Sequence, residues 1–382
     1  MYGSGLAFPS RPFCRLHGSE EKMCIASVGG APLPSPRVRG EGPGVRGRGG
    51  AVPVATILLL LLAATTTRAA TLNDERSAMG SRFEITAVHA DEKKCLAAID
   101  EAYDEIERIE QLLSEWRESS PTSEINRKAG VEPVVVPQEL YNLVRRSIRI
   151  SKLTDGAFDI TFHTVGHLWN FKSRSAPIPD DEAIRAAMKD IGYARIILDD
   201  TKRTVFLDRP GTRIGFGAIG KGYAANRAVF VLREHGVSGG IINAGGDLVI
   251  FGLQEDGEPW RVGIANPLAR TKVFAFLDLT DQAVVTSGDY ENYIEIDGRR
   301  YSHILDPRTG YPVEELRSVT ILCPDGELAD ALATAVSVLG VQRGLDLVNG
   351  LNRIEAMLVG KDGNVHFSDG LEAMMTKVED HP

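Results

Sequence analysis

The 382-residue chain has only four cysteines, and they lie far apart. Cys14 and Cys24 precede the expected start of the folded body, which leaves Cys95 and Cys323 inside it. A disulfide framework or a cysteine-bound zinc therefore has no support. Cys95 falls on the apolar face of a helical pattern and reads as a buried free thiol. The chain also lacks an H-E-x-x-H segment. His163 and His167 are four apart but unframed, so a zinc site of that kind has little support. The chain's one G-x-S-x-G match, Gly236 to Gly240, leads into a strand pattern rather than out of one into a helix, so a serine hydrolase has little sequence support. No internal repeat is present. Its main apolar run falls short of the ~20 residues that a membrane span needs. Positive charge is scarce as well: 43 Lys+Arg stand against 52 Asp+Glu, for a net charge of -9. Residues 1–70 carry +5, so the remainder carries -14. An acidic body argues against a nucleic-acid partner.

What remains is ordinary globular composition, 43% hydrophobic and 25% charged, with length enough for two domains. Residues 1–50 are rich in Gly, Pro and Arg without periodicity. They read as a disordered leader or an upstream misreading of the start codon. Residues 51–70 hold an apolar run, Val52 to Ala64, with Arg46 and Arg48 before it and Ala69 and Ala70 after it. That is the layout of a secretory signal, or of an uncleaved N-terminal anchor, and it sets the expectation of a periplasmic protein. The folded body is expected over 75–378.

Within the body, residues 78–88 alternate as a strand beside a Met79-Gly80 turn. Residues 91–116 carry apolar residues at threes and fours, with Asp91 as N-cap. A polar loop is expected over 117–130, and Pro137 opens a second helix. Residues 154–170 show no helical period. A short helix over 180–188 starts behind Asp180, and a hairpin is expected around 199–202. Strands follow near 239–243, 259–265, 272–278, 282–287, 290–296, 300–305 and 317–322, with a turn at Asp297-Gly298. Two helices are expected over 328–339 and 342–348, then short strands at 355–358, 365–367 and 373–376. Helices interspersed with hairpins point to an α+β fold with mixed or antiparallel sheets, not a doubly wound parallel one.

The chemical signal is densest at 212–227, T-R-I-G-F-G-A-I-G-K-G-Y-A-A-N-R. Gly215, Gly217, Gly220 and Gly222 surround Lys221 between a strand-like approach and a helical pattern. Such a turn lets a backbone approach an anion at a helix start, or serves only tight packing. Gly215, Gly217 and Gly220 spell a dinucleotide fingerprint, but too late in the chain for a Rossmann unit. The P-loop is only approximated, because Gly222 stands where a hydroxyl would hold magnesium. Asp330 and Thr334 lie four apart in the apolar run L-A-D-A-L-A-T-A. This puts a carboxylate and a hydroxyl on one helical face, a hard oxygen pair suited to Mg²⁺. A dipole-favoured Asp and a back-bonding Thr would look the same. His303 closes a strand in Y-S-H-I-L-D-P-R-T-G-Y-P, a position suited to proton transfer or to a structural role. Asn243–Asp247 and Val285–Tyr290 are further glycine-bearing strand ends.

Taken in order, eight stretches resemble the FAD:protein FMN transferase (ApbE) family. They are M-G-S-R-F at 79–83, L-S-E-W…S-E-I-N at 113–126, D-G-A-F-D-I-T at 155–161 and G-F-G-A-I-G-K-G-Y-A at 215–224. N-A-G-G-D at 243–247, T-S-G-D-Y at 286–290, the 301–312 run and A-D-A-L-A-T-A at 329–335 complete the set. The resemblance implies a tunnelling-fold-like body, one- or two-lobed. It implies transfer of FMN from FAD to a Ser or Thr hydroxyl of an acceptor protein, with Mg²⁺ required and AMP released. The implied acceptor is a subunit of a membrane redox complex, and a homodimer is left open. By the same resemblance Met79, Trp116, Ala157, Phe158 and Asp159 would line the flavin or adenine pockets. Gly215, Lys221 and Ile304 would contact FAD, Ala218 would join Asp330 and Thr334 on the metal, and His303 would be the base. Trp116 stands where members often have tyrosine. Many members carry Asp where this chain has Gly215, so any contact or charge from that Asp is absent. Three alternatives stand beside this reading: an FAD pyrophosphatase, a flavin-binding protein without catalysis, and a Rossmann oxidoreductase.

Overall fold

The computed structural model describes residues 69–377, apart from 267–268, 290–292 and 297. The leader at 1–50, nearly all of the signal-like segment at 51–70, Cys14, Cys24, Tyr290 and the turn residue Asp297 lie outside the described residues.

Eight strands form one antiparallel sheet. Their spatial order is Ala70–Ala78, Ser81–His89, Gly239–Ala244, Asp247–Gly252, Gln282–Gly288, Leu316–Cys323, Glu355–Gly360 and Val365–Phe367. The central strands read as nearly continuous apolar runs, as strands buried on both faces do. Successive side chains divide between the two faces. Phe83, Ile85, Val249, Phe251, Ala283, Val285, Val319 and Ile321 face one core. Val88, Leu248, Ile250, Val284 and Leu322 face the other. The first core is covered by the helices Glu92–Leu113, Gly220–Glu234 and Gly326–Asn349. The second is covered by the hairpin Trp260–Asn266 with Ala269–Leu279, to which Thr376–Lys377 adds an edge. Val134–Val135, Thr204–Leu207 and Ile196–Asp199 make a small sheet, and Tyr293–Ile296 pairs with Arg299–Ser302. The fold is thus α+β with antiparallel sheets and packed helices. Cys95 and Cys323 are buried free thiols.

Several expectations change in detail. The 117–130 stretch is not all loop: Pro121–Arg127 is a helix capped by Ser120, whose hydroxyl accepts from Ser123 N at 2.9 Å. Two turns are too short to show a period. In 154–170 a 3-10 turn, Ile160–Phe162, runs into the one-turn helix His163–Gly166. Asp247–Gly252 is an additional strand, and Leu371–Met374 is a helical turn where a strand was expected. Asp91 caps as expected, accepting from Lys93 N and Lys94 N, whereas Asp180 makes no capping hydrogen bond. The two helices expected after 328 are both present: Gly326–Asn349 is interrupted at Gly340, between the two expected ranges, and the φ of 78° there suits glycine.

The contact that positions everything functional is the meeting of two helix starts. Gly222, in the first turn of Gly220–Glu234, packs on Gly326, the first residue of Gly326–Asn349. Asn226 Oδ1 accepts from Gly326 N at 3.0 Å and so locks the pair. A methyl group at Gly222 would collide with the Gly326 carbonyl and lie 2.9 Å from Asp330 Cβ. Gly217 has room: its nearest neighbour would be Phe162 Cζ at 3.9 Å. Gly222→Ala is therefore expected to lower the urea-unfolding free energy by about 1–3 kcal/mol. Gly217→Ala should stay within about 0.5 kcal/mol of the parent.

Candidate functional site

A cavity of about 320 Å³ opens where these two helix starts meet the sheet. The chain reaches it through the glycine turn. Gly215 N donates to Ile160 O at 2.9 Å, Gly220 N donates to Phe216 O at 2.7 Å, and the helix begins at Gly220. This helix has no side-chain cap and no acidic residue in its first turn. Its start therefore keeps the positive end of the helix dipole uncancelled from within. Gly222 N donates to Asp330 Oδ2 at 3.0 Å. Asp330 is 4% exposed. Its pKa is pushed up to about 6, first by burial and also by Asp247, while Lys221 and the backbone N–H donors oppose the rise. Lys221 Nζ pairs with Asp247 Oδ2. The other Asp247 oxygen accepts from Thr286 N at 3.3 Å. Thr334, one turn beyond Asp330, and Ala218 face the same cavity.

The opposite wall comes from three segments. Met79 and Gly80 turn the first hairpin with φ of 51° and 70°, and Met79 N donates to Glu110 Oε2 at 2.7 Å. Ala157 and Phe158 are buried apolar lining. Asp159 also lines the cavity, but its carboxylate is engaged in the fold. It accepts from Thr161 N at 2.8 Å, Thr161 Oγ1 at 2.7 Å and Tyr193 N at 2.6 Å, and burial raises its pKa. His303 follows the strand Arg299–Ser302, with its ring edge-on to Phe171 at 6.5 Å. Ile304 is buried beside it, its carbonyl accepting from Val313 N at 2.9 Å.

Met79, Ala157, Phe158, Asp159, Ala218, Lys221, His303, Ile304, Asp330 and Thr334 thus converge on one cavity. Gly215 and Trp116 are not among its lining residues. Gly215 lies against His163: a Cβ there would sit 3.1 Å from His163 Cβ. Trp116 is 69% exposed, edge-on to His163 at 5.8 Å, with Lys172 Nζ 5.2 Å from its ring centre. Asp247, Thr286 and Ser287 join the lining; the sequence marked their stretches, 243–247 and 285–290, without assigning a role to these three side chains. A signal existed for Asp247. A carboxylate that opens the apolar strand D-L-V-I-F needs a partner when buried.

Among the described residues no group of three His, Cys, Asp or Glu side chains could hold a metal. The oxygen set here is of another kind. A buried carboxylate, a hydroxyl one turn away and a backbone segment share one cavity, and hard oxygen donors of this sort suit a small divalent cation that keeps other ligands.

The ApbE family model matches residues 79–358. The chain is 32% identical over 305 residues to a Klebsiella pneumoniae protein named FAD:protein FMN transferase, covering 77% of this chain and 87% of that one. An Escherichia coli protein of the same name is 31% identical over 296 residues, at 76% and 84% coverage. Among solved structures, the ApbE protein of Thermotoga maritima superposes with a TM-score of 0.74 at 31% identity. It covers 81% of this chain and 100% of its own. The flavin transferase ApbE from Vibrio cholerae gives a TM-score of 0.71 at 29% identity, with 80% and 99% covered.

His163, behind the glycine turn, supplies a pH test of this packing. Burial, helped by His167 and Arg213, lowers its pKa from 6.5 to about 4. The folded state holds the proton less tightly than the unfolded one. The stabilisation is therefore full above about pH 6.5 and is lost as pH falls through about 4. His163→Gln is expected to remove roughly 2–3 kcal/mol of the acid-side decline in unfolding free energy over that window. Denaturant titrations at pH 7 and pH 4 on both proteins check it.

Proposed function

Because this chain belongs to the ApbE family, the family of the FAD:protein FMN transferases, we propose that it moves FMN from FAD onto a Ser or Thr hydroxyl of an acceptor protein. In this reaction the acceptor oxygen attacks the FMN-side phosphorus of the FAD diphosphate. A new P–O bond forms, the P–O bond to the AMP portion breaks, and AMP leaves. Asp330, Thr334 and Ala218 would hold Mg²⁺, which when bound neutralises diphosphate charge. Lys221 and the start of the helix at Gly220, where Gly222 N donates to Asp330, add positive potential to the same cavity. Ala157, Phe158 and the Met79 turn offer apolar surface for a ring, and Trp116 an aromatic face outside the cavity. His303 takes the acceptor's proton as the bond forms, since an alcohol is a weak nucleophile until a base assists it.

The observation that carries this reading is the buried Asp330 carboxylate, held by Gly222 N–H beside Lys221 and facing the cavity that His303 also lines. The apolar run at 52–64 supports a periplasmic setting, with the acceptor a subunit of a membrane redox complex. Incubation with FAD, Mg²⁺ and a Ser/Thr acceptor peptide, followed by mass spectrometry, tests the proposal. An FMN-sized increment on the hydroxyl together with free AMP is expected. AMP and free FMN without adduct would indicate a pyrophosphatase, and intact FAD a flavin-binding protein.

Two substitutions separate the roles. Asp330→Ala is expected to keep the fold, by circular dichroism, and to lower Mg²⁺-dependent AMP release at least about 100-fold. Unchanged release removes Asp330 from the metal. His303→Ala is expected to keep FAD binding, read by flavin fluorescence, and to slow transfer by about 10²–10⁴-fold. Full transfer activity in that variant rules out the base assignment.

A further inference from the structure

We propose that Asp247 is a positioning residue for Lys221, an inference that rests on the transferase reading above. A lysine side chain loses rotamer freedom when it is fixed in one place. Lys221 leaves the second residue of an uncapped helix start and is partly open to solvent. A carboxylate facing the cavity can hold its ammonium there.

Asp247 does so from across the site. It opens the strand Asp247–Gly252 directly after Gly245 and Gly246, whose φ values of 70° and 109° turn the chain tightly. Its side chain is 5% exposed. One oxygen is fixed by Thr286 N of the neighbouring strand, and the other pairs with Lys221 Nζ. The carboxylate is thus anchored to the sheet, and it ties a flexible cation on the helix layer to that rigid frame. A preset cation stabilises developing charge without reorganising during the reaction. The Thr286 contact also keeps Asp247 in place when Lys221 turns part of its charge toward a diphosphate.

Charge alone makes the opposite prediction. Removing a carboxylate near a diphosphate site should help FAD bind and should not slow the reaction. Positioning instead predicts a split between kcat and KM. Asp247→Asn is expected to lower kcat for AMP release about tenfold, with KM for FAD unchanged or lower and the thermal unfolding midpoint retained. Asp247→Glu should recover part of the rate. The double variant Asp247→Asn with Lys221→Met should be no slower than Lys221→Met alone, because both act through one group. A further tenfold loss in the double variant, or a full kcat in Asp247→Asn, overturns the proposal. A higher Mg²⁺ requirement caused by Asp247→Asn in the Lys221→Met background also overturns it, by placing Asp247 on the metal. AMP release is read whether the acceptor is a hydroxyl or water. If wild type gives AMP without an adduct, the transferase reading fails while the coupling between these side chains is still measured.

Discussion

Two helices begin against each other at a pair of glycines, and the site follows from that contact. Gly222 and Gly326 bring backbone against backbone. The first helix can then offer its Gly222 N–H to a carboxylate that the second carries one turn in. A Cβ on Gly222 would separate the helices and withdraw Asp330 from the donor. The large sheet serves as the platform for this crossing: both helices lie on one face of it, and its strands deliver Asp247 and Thr286 to the same cavity.

The electrostatics are unfavourable for folding and useful for chemistry. A buried carboxylate is costly in a protein interior unless it is paired or hydrogen-bonded. Here the relief is partial, and the pKa of Asp330 stays raised. Such a group gains more from a divalent cation than a solvated one does, because burial has already removed much of its competing hydration. Lys221, the uncapped helix start and Asp247 complete a mixed-charge cavity that suits an anion arriving with a cation. Catalytic sites commonly retain such strain because the substrate complex, not the free protein, is where the charges balance.

Much of this was legible in residues. Spacing at threes and fours disclosed the helices, and Asp91 and Pro137 marked two of their starts. Asp330 and Thr334 stood out as polar residues in an apolar helix, and the structure sets both on the cavity. Ten of the twelve sequence-chosen site residues line that cavity. The rest was hidden for physical reasons. The Pro121–Arg127 helix is shorter than the window in which a period shows. Gly215 looked like a ligand-facing glycine, but the space a side chain would need there is taken by His163, a neighbour that local spacing does not reveal. Asp159 lines the cavity as expected, but the three hydrogen bonds that engage its carboxylate within its own loop and with Tyr193 could not be read from spacing. The 243–247 stretch read as an anion-facing or plain turn, and the role of the Asp247 side chain stayed hidden because its partner lies on a helix 26 residues earlier in the chain.

The central claim is spatial: the Asp330–Gly222 junction is where the diphosphate of FAD meets its metal. A crystal structure of the protein with FAD and Mg²⁺ tests it most directly. The account predicts one Mg²⁺ bound by Asp330 and Thr334 and touching diphosphate oxygens, with Lys221 and His303 on either side of the reacting phosphorus. A diphosphate seated away from that junction, or a metal held without Asp330, would contradict it.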